Sequence, residues 1–448
     1  MESLNKKYGL FTAICMVVGI VIGSGIFFKA PSVLANAGNA LNSTLAWIIA
    51  GFVMVIIATT FGVLATKYEK VNGVVDYAEA TCGKTYAYFV GWFLSLIYYP
   101  AMTSVLAWVS ARYTLVAVFG HDGKIFSTEC ITVALFYLIL AFFINMIAPT
   151  LAGKFQISST IVKLIPIAFI AIVGTVIGLV NGTLIENFSI EYAAGVENPG
   201  LFPAICSTIF AYEGWIVATA INSEIKDSKK NLPIALCLGT LIIVAAYTLY
   251  NVGILGLAEI NSLSGGTYVA FNFFGGAVAA IINVLVVISC LGTLNGLMLG
   301  CTRGIYSLAI RGDGFAPETF AQVDKKTNMP HNSASFALMA CAFWFVYFIF
   351  SCTGVFGKYG FDSSELPIIT IYPMYIPILI ALMVKEKDVH PFKRFVLPIL
   401  SLVGIGIIVY ASIRSHGMGN VWYLIVFAAI MLAGFVVMKI NDKSKKNN

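Results

Sequence analysis

Gly23, Ser24 and Gly25 form the stretch of this sequence with the clearest capacity for chemistry. They lie in an apolar run from Leu10 to about Leu34, which is long enough for one membrane-spanning helix. Two glycines within three residues disfavour helix, and a serine hydroxyl competes for backbone hydrogen bonds. In lipid, a broken helix is tolerated only where its unpaired backbone groups are buried in protein or line a polar cavity. The run therefore predicts an interrupted span near Gly23.

Such a break presents two kinds of backbone group. The N–H groups of the Gly-Ser-Gly stretch, and of a second half-helix that begins near Ile26, suit a carboxylate because a helix N-terminus carries a partial positive charge. The carbonyls that end the first half-helix, around Val21, suit an ammonium group. The alternative is that the glycines only form a notch for close helix packing.

A second break is predicted in the apolar run 201–224. Glu213 is an ionisable residue beside Gly214 near mid-span, which argues for an interrupted helix. This run is the sixth, five spans after the first, so the two enter the membrane from opposite sides. Two broken helices at corresponding places indicate an inverted repeat. The carbonyls of the second break, at Phe210, Ala211 and Glu213, would then help to bind the ammonium group.

Lys163 is the one basic residue placed well inside a predicted span. A charge at the bilayer centre costs ~3 kcal/mol or more, so it needs a compensating contact. We interpret its ammonium as a cap on carbonyls of the broken first helix, at the place a sodium ion would otherwise take. The alternative is a lysine that snorkels to the inner membrane face.

Several positions have more than one interpretation. Glu213 could bind a cation, relay protons or face water as a gate. Phe210 and Trp215 flank the second break and could close over a ligand or be core aromatics. Asn295 could contact a ligand or join helices, and residues 98–100 (Tyr-Tyr-Pro) could line a pocket or pack around a proline kink.

The composition is that of an integral membrane protein. Of 448 residues, 59% are hydrophobic and 11% charged, whereas soluble proteins carry about 25% charged residues. The net charge of +6 does not indicate nucleic-acid binding. Nine cysteines and four histidines are scattered, with no Cys-x-x-Cys, and predict neither disulfides nor a metal site. Without a catalytic set or a phosphate-binding loop, we expect no enzyme and no cofactor.

Twelve apolar runs are long enough to span, which predicts an all-helical bundle. With the N-terminus in the cytoplasm, 21 of the 27 Lys and Arg residues fall on the inner side and five on the outer side, so both termini are predicted to be cytoplasmic. The runs are 10–35, 43–66, 85–119, 127–148, 155–180, 201–224, 233–258, 274–310, 334–352, 364–385, 394–414 and 420–440.

Together these residues resemble the amino acid–polyamine–organocation superfamily, within it the L-type amino-acid transporter branch, and there its bacterial serine/threonine exchangers. The resemblance extends over nearly the whole chain, and its motifs are specific as an ordered set rather than singly. They are Val18–Phe27, Gly91–Trp92, Lys163–Ala168, Phe210–Trp215, Asn231–Pro233 and Leu294–Gly296.

The resemblance implies a LeuT-like fold of ten helices in two inverted five-helix repeats, with helices one and six unwound, plus two further helices. The core would be residues 1–385, with repeats at about 8–180 and 200–385. Residues 386–448 would be two peripheral helices and a basic cytoplasmic tail. It also implies sodium-independent amino-acid exchange by alternating access.

For the site, the resemblance implies that the substrate carboxylate binds at Ser24 and Gly25, that Phe210 is an aromatic gate, and that Lys163 is the lysine of span five. The substrate amine would bind carbonyls of Val21, Phe210, Ala211 and Glu213. Glu213 departs from the family pattern, where this position is commonly Gly in L-type members and can be Asp in the bacterial exchangers, so substrate identity is open. No obligatory partner subunit is expected, since no cysteine has an evident extracellular position for an intersubunit disulfide.

The main hypothesis is an antiporter of the cell membrane that exchanges small neutral L-amino acids (Ser, Thr, Ala, Cys). A second hypothesis is a proton-coupled transporter, or one for cationic amino acids or polyamines, that uses Glu213. A third is an amino-acid sensor that does not transport.

Overall fold

The computed structural model describes residues 9–68, 73–120, 126–191, 199–216, 219, 225–263 and 267–447. Within these residues the fold is built from helices. The principal ones are α1 (Leu10–Val21), α2 (Gly25–Ala37), α3 (Ala40–Lys67), α4 (Val74–Cys82), α5 (Lys84–Phe119), α6 (Thr128–Ile147), α7 (Pro149–Asn181), α8 (Thr183–Ser189), α9 (Leu201–Tyr212), α10 (Ser228–Leu257), α11 (Gly276–Ala309), α12 (His331–Cys352), α13 (Leu366–Lys385), α14 (Phe392–His416) and α15 (Met418–Asn447). Short helices at Ile260–Leu263, Tyr268–Phe271 and Pro317–Phe320 connect them.

The helices follow the predicted runs to within a few residues at most ends. Ten single helices of the described residues are long and apolar enough to cross a membrane, and the bent pair α1 and α2 makes an eleventh. The predicted sixth span, 201–224, is described only in its first half as α9, and residues 217–218 and 220–224 lie outside the described residues. The structure therefore supports an all-helical membrane bundle, while the count of twelve stays a prediction.

Two long spans are locally irregular for identifiable reasons. In α7 the regular hydrogen bonding is interrupted at Lys163, three residues before Pro166, whose ring lacks an N–H and clashes with the carbonyl of the preceding turn. In α5 a π-helical turn covers Leu94–Tyr98 and ends two residues before Pro100. Such wide turns shift the face that the following side chains present.

Helices at equivalent places in the two predicted repeats pack against each other. Helix α3 packs along α10, α5 along α11, and α2 against α9. In the predicted numbering of spans these are the second with the seventh, the third with the eighth, and the first with the sixth. When two repeats are related by a two-fold axis, the helices nearest the axis contact their own counterparts in the other repeat. The observed pairs are therefore those that two inverted repeats would produce.

Buried and half-buried ion pairs close both ends of the bundle. At the end predicted to be cytoplasmic, Arg311 follows α11 and donates to Asp76 of α4 at 2.6 Å and to Glu79 at 3.2 Å. At the opposite end, the Lys29 ammonium of α2 lies 2.6 Å from a carboxylate oxygen of Glu365, the residue before α13. Both residues of this second pair are buried.

Candidate functional site

The first predicted break is present. Helix α1 ends at Val21, α2 begins at Gly25, and the two axes meet at 54°. Ile22 leaves the helix with an extended backbone (ψ 107°). The Phe28 N–H donates to the Ser24 carbonyl at 2.9 Å, so the N–H groups of the three residues before Phe28 are the ones that a helix start leaves without intrahelical partners.

The second predicted break follows α9. Glu213 has an extended backbone (φ −76°, ψ 156°), which ends the helix after Tyr212. Gly214 has a φ of 111°, a left-handed value that favours glycine over any residue with a Cβ. The chain then makes a short 3₁₀ turn at residues 215–216. Both interruptions therefore lie where the glycines and the acidic residue predicted them.

The two breaks touch each other. A Cβ added to Gly25 would lie 2.6 Å from the Ala211 Cα, closer than side-chain carbons pack. A Cβ added to Gly214 would lie 3.5 Å from the Ile20 carbonyl and 3.8 Å from the Val21 Cα. The start of α2 thus lies against the end of α9, and the second break lies against the end of α1, so the exposed backbone groups of both helices share one region.

Tyr247 of α10 joins the two breaks. Its hydroxyl lies 3.2 Å from the Val21 carbonyl and 3.1 Å from the Ala211 carbonyl, and the side chain is fully buried. These are two of the carbonyls that the sequence assigned to an ammonium group. The tyrosine hydroxyl therefore lies where a hydrogen-bond donor can contact carbonyls of both broken helices.

Lys163 reaches the first half-helix. Its ammonium donates to the Gly19 carbonyl in the last turn of α1, and the residue is 2% exposed. The interruption of α7 at Lys163 itself helps to direct the side chain inward. The structure therefore places a positive charge beside the carbonyl end of α1, where the helix dipole is negative, rather than in solvent at the inner face.

Ser24 is the polar side chain in the first break. Its hydroxyl is buried and has no hydrogen-bond partner among the described residues, as is also the case for Ser289 of α11. Gly23 next to it lies against Thr293, whose hydroxyl would be 2.6 Å from an added Cβ. Leaving a buried hydroxyl unpaired costs about 1–3 kcal/mol, so this position is a natural place for a ligand oxygen to bind.

Glu213 is held by two tyrosines on the other side of the breaks. The Tyr98 hydroxyl donates to one carboxylate oxygen at 2.7 Å, and the Tyr372 hydroxyl donates to the other at 3.1 Å. Tyr98 is the last residue of the π-helical turn in α5, and Tyr372 belongs to α13. Glu213 is 8% exposed, and within the described part of the chain no Lys, Arg or His forms an ion pair with it.

Phe210 belongs to an aromatic group on the side of the break toward Lys29. Its ring packs edge-on against Phe28 of α2, with 5.5 Å between centroids, and Phe28 packs against Trp108 of α5. The Lys29 ammonium lies 5.3 Å from the centre of the Phe210 ring. Phe210 is therefore positioned between the broken helices and the Lys29–Glu365 ion pair, which is where an aromatic gate would lie.

Trp215 and Asn295 lie in other surroundings. Trp215 is fully buried among Phe61 and Tyr375, at 5.4 and 6.0 Å between centroids, as a core aromatic would be. Asn295 accepts from Asn145 of α6 at 3.0 Å and donates to the Ala152 carbonyl of α7 at 3.2 Å. These contacts fit the role of joining helices, which was one of the two interpretations of Asn295.

Three important positions were not recognised in the sequence. Tyr247 and Tyr372 are tyrosines in ordinary apolar spans, and nothing in their own neighbourhoods distinguishes them from packing residues. Lys29 is one of the five Lys and Arg residues counted on the outer side, although it lies four residues after Gly25 of the predicted break. Its position inside an apolar run at Phe27–Ala30 was the available signal, because a lysine there must find a partner.

Comparison with known proteins gives relatives along most of the chain. The serine/threonine exchanger SteT of Bacillus subtilis (strain 168) is 28% identical over 415 residues, which covers 90% of this chain and 90% of that protein. The human large neutral amino acids transporter small subunit 2 is 28% identical over 337 residues, covering 73% of this chain and 62% of that protein. The human cystine/glutamate transporter is 26% identical over 332 residues, covering 73% of this chain and 65% of that protein.

These relatives are transporters and not enzymes, in keeping with a site that presents backbone dipoles instead of a catalytic set. The model of the amino acid permease family matches residues 8–436, almost the whole chain. Because the match includes both broken helices and Lys163, the site described above lies in the part that the family shares. This chain belongs to the amino acid permease family, and it is an amino-acid transporter of the membrane.

Proposed function

We propose that this transporter is a sodium-independent antiporter that exchanges small neutral L-amino acids, among them Ser, Thr, Ala and Cys, by alternating access. The observation that carries the proposal is the contact between the two broken helices. One side of that contact offers the N–H groups at the start of α2 and the unpaired Ser24 hydroxyl. The other side offers the carbonyls of Val21 and Ala211. A zwitterionic amino acid has a carboxylate for the first side and an ammonium group for the second.

The amine of the substrate would compete for the carbonyls that Tyr247 now contacts. Carbonyls of Phe210 and Glu213, the neighbours of Ala211 along the chain, would complete its binding site. The carboxylate would take the donors at Ser24, Gly25 and Ile26. The substrate would therefore join the two broken helices directly, which gives each helix a reason to move when substrate binds or leaves.

The independence from sodium follows from Lys163. Its ammonium is covalently part of the chain and lies on the carbonyl end of α1, so that negative helix end has a permanent cation. A transported sodium ion would then find the carbonyl end of α1 already neutralised by Lys163. Exchange, rather than net uptake, follows if the substrate-free transporter changes conformation slowly.

The small substrate size rests on the similarity to the serine/threonine exchanger and on the close contact of Gly25 with Ala211. We place the protein in the cell membrane with both termini in the cytoplasm, on the charge distribution of its connections. The exchange core would be residues 1–385, and residues 386–448 would be peripheral. Helix α15 is the most lipid-exposed of the candidate spans, which favours a peripheral place. We expect the chain to act without a partner subunit, but Cys352 lies exposed at the end predicted to be extracellular, so a lack of outer cysteines does not support that expectation.

Exchange is tested with the purified protein in proteoliposomes. Vesicles loaded with unlabelled serine should take up labelled serine many-fold faster than empty vesicles, with and without a sodium gradient. Uptake that requires a sodium or proton gradient and ignores internal serine would contradict the proposal. Competition by each of the twenty amino acids against labelled serine would then rank the substrates.

Glu213 supports a second candidate function. A buried carboxylate with two tyrosine donors and no cation partner among the described residues is suited to bind a proton or a second ammonium group of the substrate. In that case the protein would be proton-coupled, or would carry cationic amino acids or polyamines. The substitution Glu213→Gln keeps the size of the side chain and one acceptor oxygen but removes the negative charge.

The Glu213→Gln variant separates the two functions. If neutral exchange is correct, serine exchange persists without a change in its pH dependence, and lysine and putrescine are poor substrates for both proteins. If the second function is correct, the natural chain transports lysine or putrescine, or is driven by protons, and the variant loses that activity. A sensor without transport would bind serine but show no flux in either protein.

A further inference from the structure

Three metal-ligating side chains meet at the end of the bundle predicted to be extracellular. Cys206 comes from α9, Glu365 precedes α13, and His416 ends α14. The Cys206 sulfur lies 3.4 Å from Glu365 Oε2 and 3.7 Å from His416 Nδ1, and His416 Nε2 lies 3.3 Å from the same Oε2. Cys206 and Glu365 are buried, and the His416 side chain is 11% exposed.

This set of a thiol, an imidazole and a carboxylate is typical of zinc-type sites. Zinc binds sulfur at ~2.3 Å and nitrogen or oxygen at ~2.0–2.2 Å, so ligand atoms around a tetrahedral ion lie roughly 3.3–3.6 Å apart. The contacts of Cys206 and His416 with Glu365 Oε2 are already in this range. A ring rotation of His416 would direct one of its nitrogens to the same point as the other two ligands.

The surrounding charges also suit a divalent cation. Lys29 holds the other oxygen of Glu365, Oε1, and leaves Oε2 directed toward Cys206 and His416. Asp362 lies 4.0 Å from His416 Nε2, on the more exposed side. With Lys29 charged, the two carboxylates ionised and the cysteine a thiolate, the group has a net charge of −2, which one divalent ion neutralises.

Asp362 is itself held in place. One of its oxygens accepts from the backbone N–H groups of Ser364 and Glu365, at 2.6 and 3.0 Å. Its second oxygen faces His416, where it can orient the ring or complete the coordination of an ion. The loop before α13 therefore presents two carboxylates at a defined separation from the imidazole.

We propose that Cys206, Glu365 and His416 form a binding site for a thiophilic divalent cation such as Zn²⁺ or Cd²⁺. The site lies on the far side of Phe210 from the broken helices, and the proposal does not depend on which amino acid is exchanged. No single stretch of sequence holds it, since the three ligands are 51 to 210 residues apart. The bound ion would link α9, which carries the second break, to α13 and α14.

Direct metal binding tests the site in the purified full chain, in nanodiscs and without a polyhistidine tag. Titration with Cd²⁺ should produce a thiolate-to-metal charge-transfer absorption that saturates at one ion per chain. Zn²⁺ should raise the Tm, because the ion binds the folded chain through three separate helices. Cys206→Ser should abolish the absorption band, and His416→Gln should weaken Cd²⁺ binding by at least about tenfold.

Cys352→Ser is the matched control. Cys352 is exposed at the end of α12, on the same side of the bundle, and is not part of the three-residue group. Its variant should bind Cd²⁺ as the natural chain does. An absorption band unchanged by both Cys206→Ser and His416→Gln, or one lost in Cys352→Ser, would overturn the site. The histidine variant keeps the test decisive if the cysteine variant does not fold.

Discussion

The two breaks of this transporter present different chemical groups, although the predicted repeats place them at equivalent positions. The first, between Val21 and Gly25, has no ionisable side chain of its own, and Lys163 from another helix supplies the charge beside it. The second carries its own charge on Glu213, which two tyrosines bind. Under the proposed function, the backbone groups of both breaks offer contacts that every amino acid can use, whereas the Glu213 side chain of the second break adds a contact that depends on the substrate.

Under the proposed function, this difference assigns separate tasks to the backbone groups of the breaks and to the Glu213 side chain. Backbone N–H groups and carbonyls can bind the carboxylate and amine that all amino acids share. The carboxylate of Glu213, facing Tyr98 and Tyr372, is a feature that can select by charge or by side-chain length. Substitutions that disturb the backbone contacts of the breaks should then reduce transport of all substrates, and substitutions around the Glu213 carboxylate should change preference among them.

Lys163→Ala should have the largest effect. It removes a charged hydrogen bond to the Gly19 carbonyl, worth about 1.5–3 kcal/mol, and each 1.4 kcal/mol corresponds to about tenfold. We expect exchange to fall about 10- to 100-fold for every substrate, and serine binding to fall less. Flux in proteoliposomes and the serine-induced rise in Tm measure the two effects.

Lys154→Ala is the control for Lys163, because Lys154 is on the same span but is exposed. It should exchange serine at the natural rate. An unaltered rate in Lys163→Ala would remove the role that we give to this lysine and would leave the first break without a fixed cation.

Gly25→Ala should have the next largest effect. The new methyl group would meet the backbone of Ala211, and such overpacking costs about 1–3 kcal/mol. Separating the two breaks should weaken binding of all amino acids by roughly 5- to 100-fold. Gly153→Ala in α7, where an added Cβ meets nothing within 4 Å, is the matched control. Equal binding by both variants would show that the contact between the breaks is not needed.

Ser24→Ala should separate binding from stability. Its hydroxyl has no partner among the described residues, so removing it should not lower the Tm. The variant should lose one hydrogen bond to the substrate carboxylate, worth about 1 kcal/mol, which weakens serine binding about fivefold. Ser43→Ala is the opposite case, because Ser43 is bonded to Asn251 at 3.0 Å away from the breaks. It should lower the Tm and leave serine affinity unchanged. The reverse pattern would place the carboxylate elsewhere.

Tyr98→Phe should have the smallest effect on serine exchange and should act on preference. It removes the 2.7 Å hydrogen bond to Glu213 while keeping the ring. We expect serine exchange to change by less than about threefold, since the bond is not made by the substrate, and the ratio of neutral to cationic substrates to change more. A uniform loss for all amino acids would mean that the two breaks do not divide the tasks in this way.

Much of the fold was predictable because its signals are local. Apolar length marked the spans, and the glycines at 23 and 25 and the Glu213–Gly214 pair marked both breaks within two residues. Lys163 was predicted to contact the first half-helix, since an intramembrane charge needs a partner. The particular carbonyl, that of Gly19, could not be predicted, because it depends on how α7 crosses α1.

The partners of Glu213 were not predictable in the same way. Tyr98 was noted only as one residue of an aromatic stretch, and Tyr372 and Tyr247 had no local signal. The ring of a tyrosine in an apolar span can pack as a hydrophobic side chain whatever its hydroxyl contacts. The neighbouring sequence therefore does not reveal whether that hydroxyl has a hydrogen-bond partner. The scattered histidines and cysteines likewise predicted no metal site, whereas the fold brings Cys206 and His416 together from α9 and α14.

The sequence by itself determined where the chain spans the membrane and where those spans must break, because helix propensity and the cost of polar groups in lipid act over a few neighbouring residues. Only the tertiary structure decided which hydroxyl, ammonium or carboxylate meets each exposed backbone group. Those contacts join residues between 36 and 226 positions apart, and their geometry depends on how whole helices cross, which no local pattern encodes.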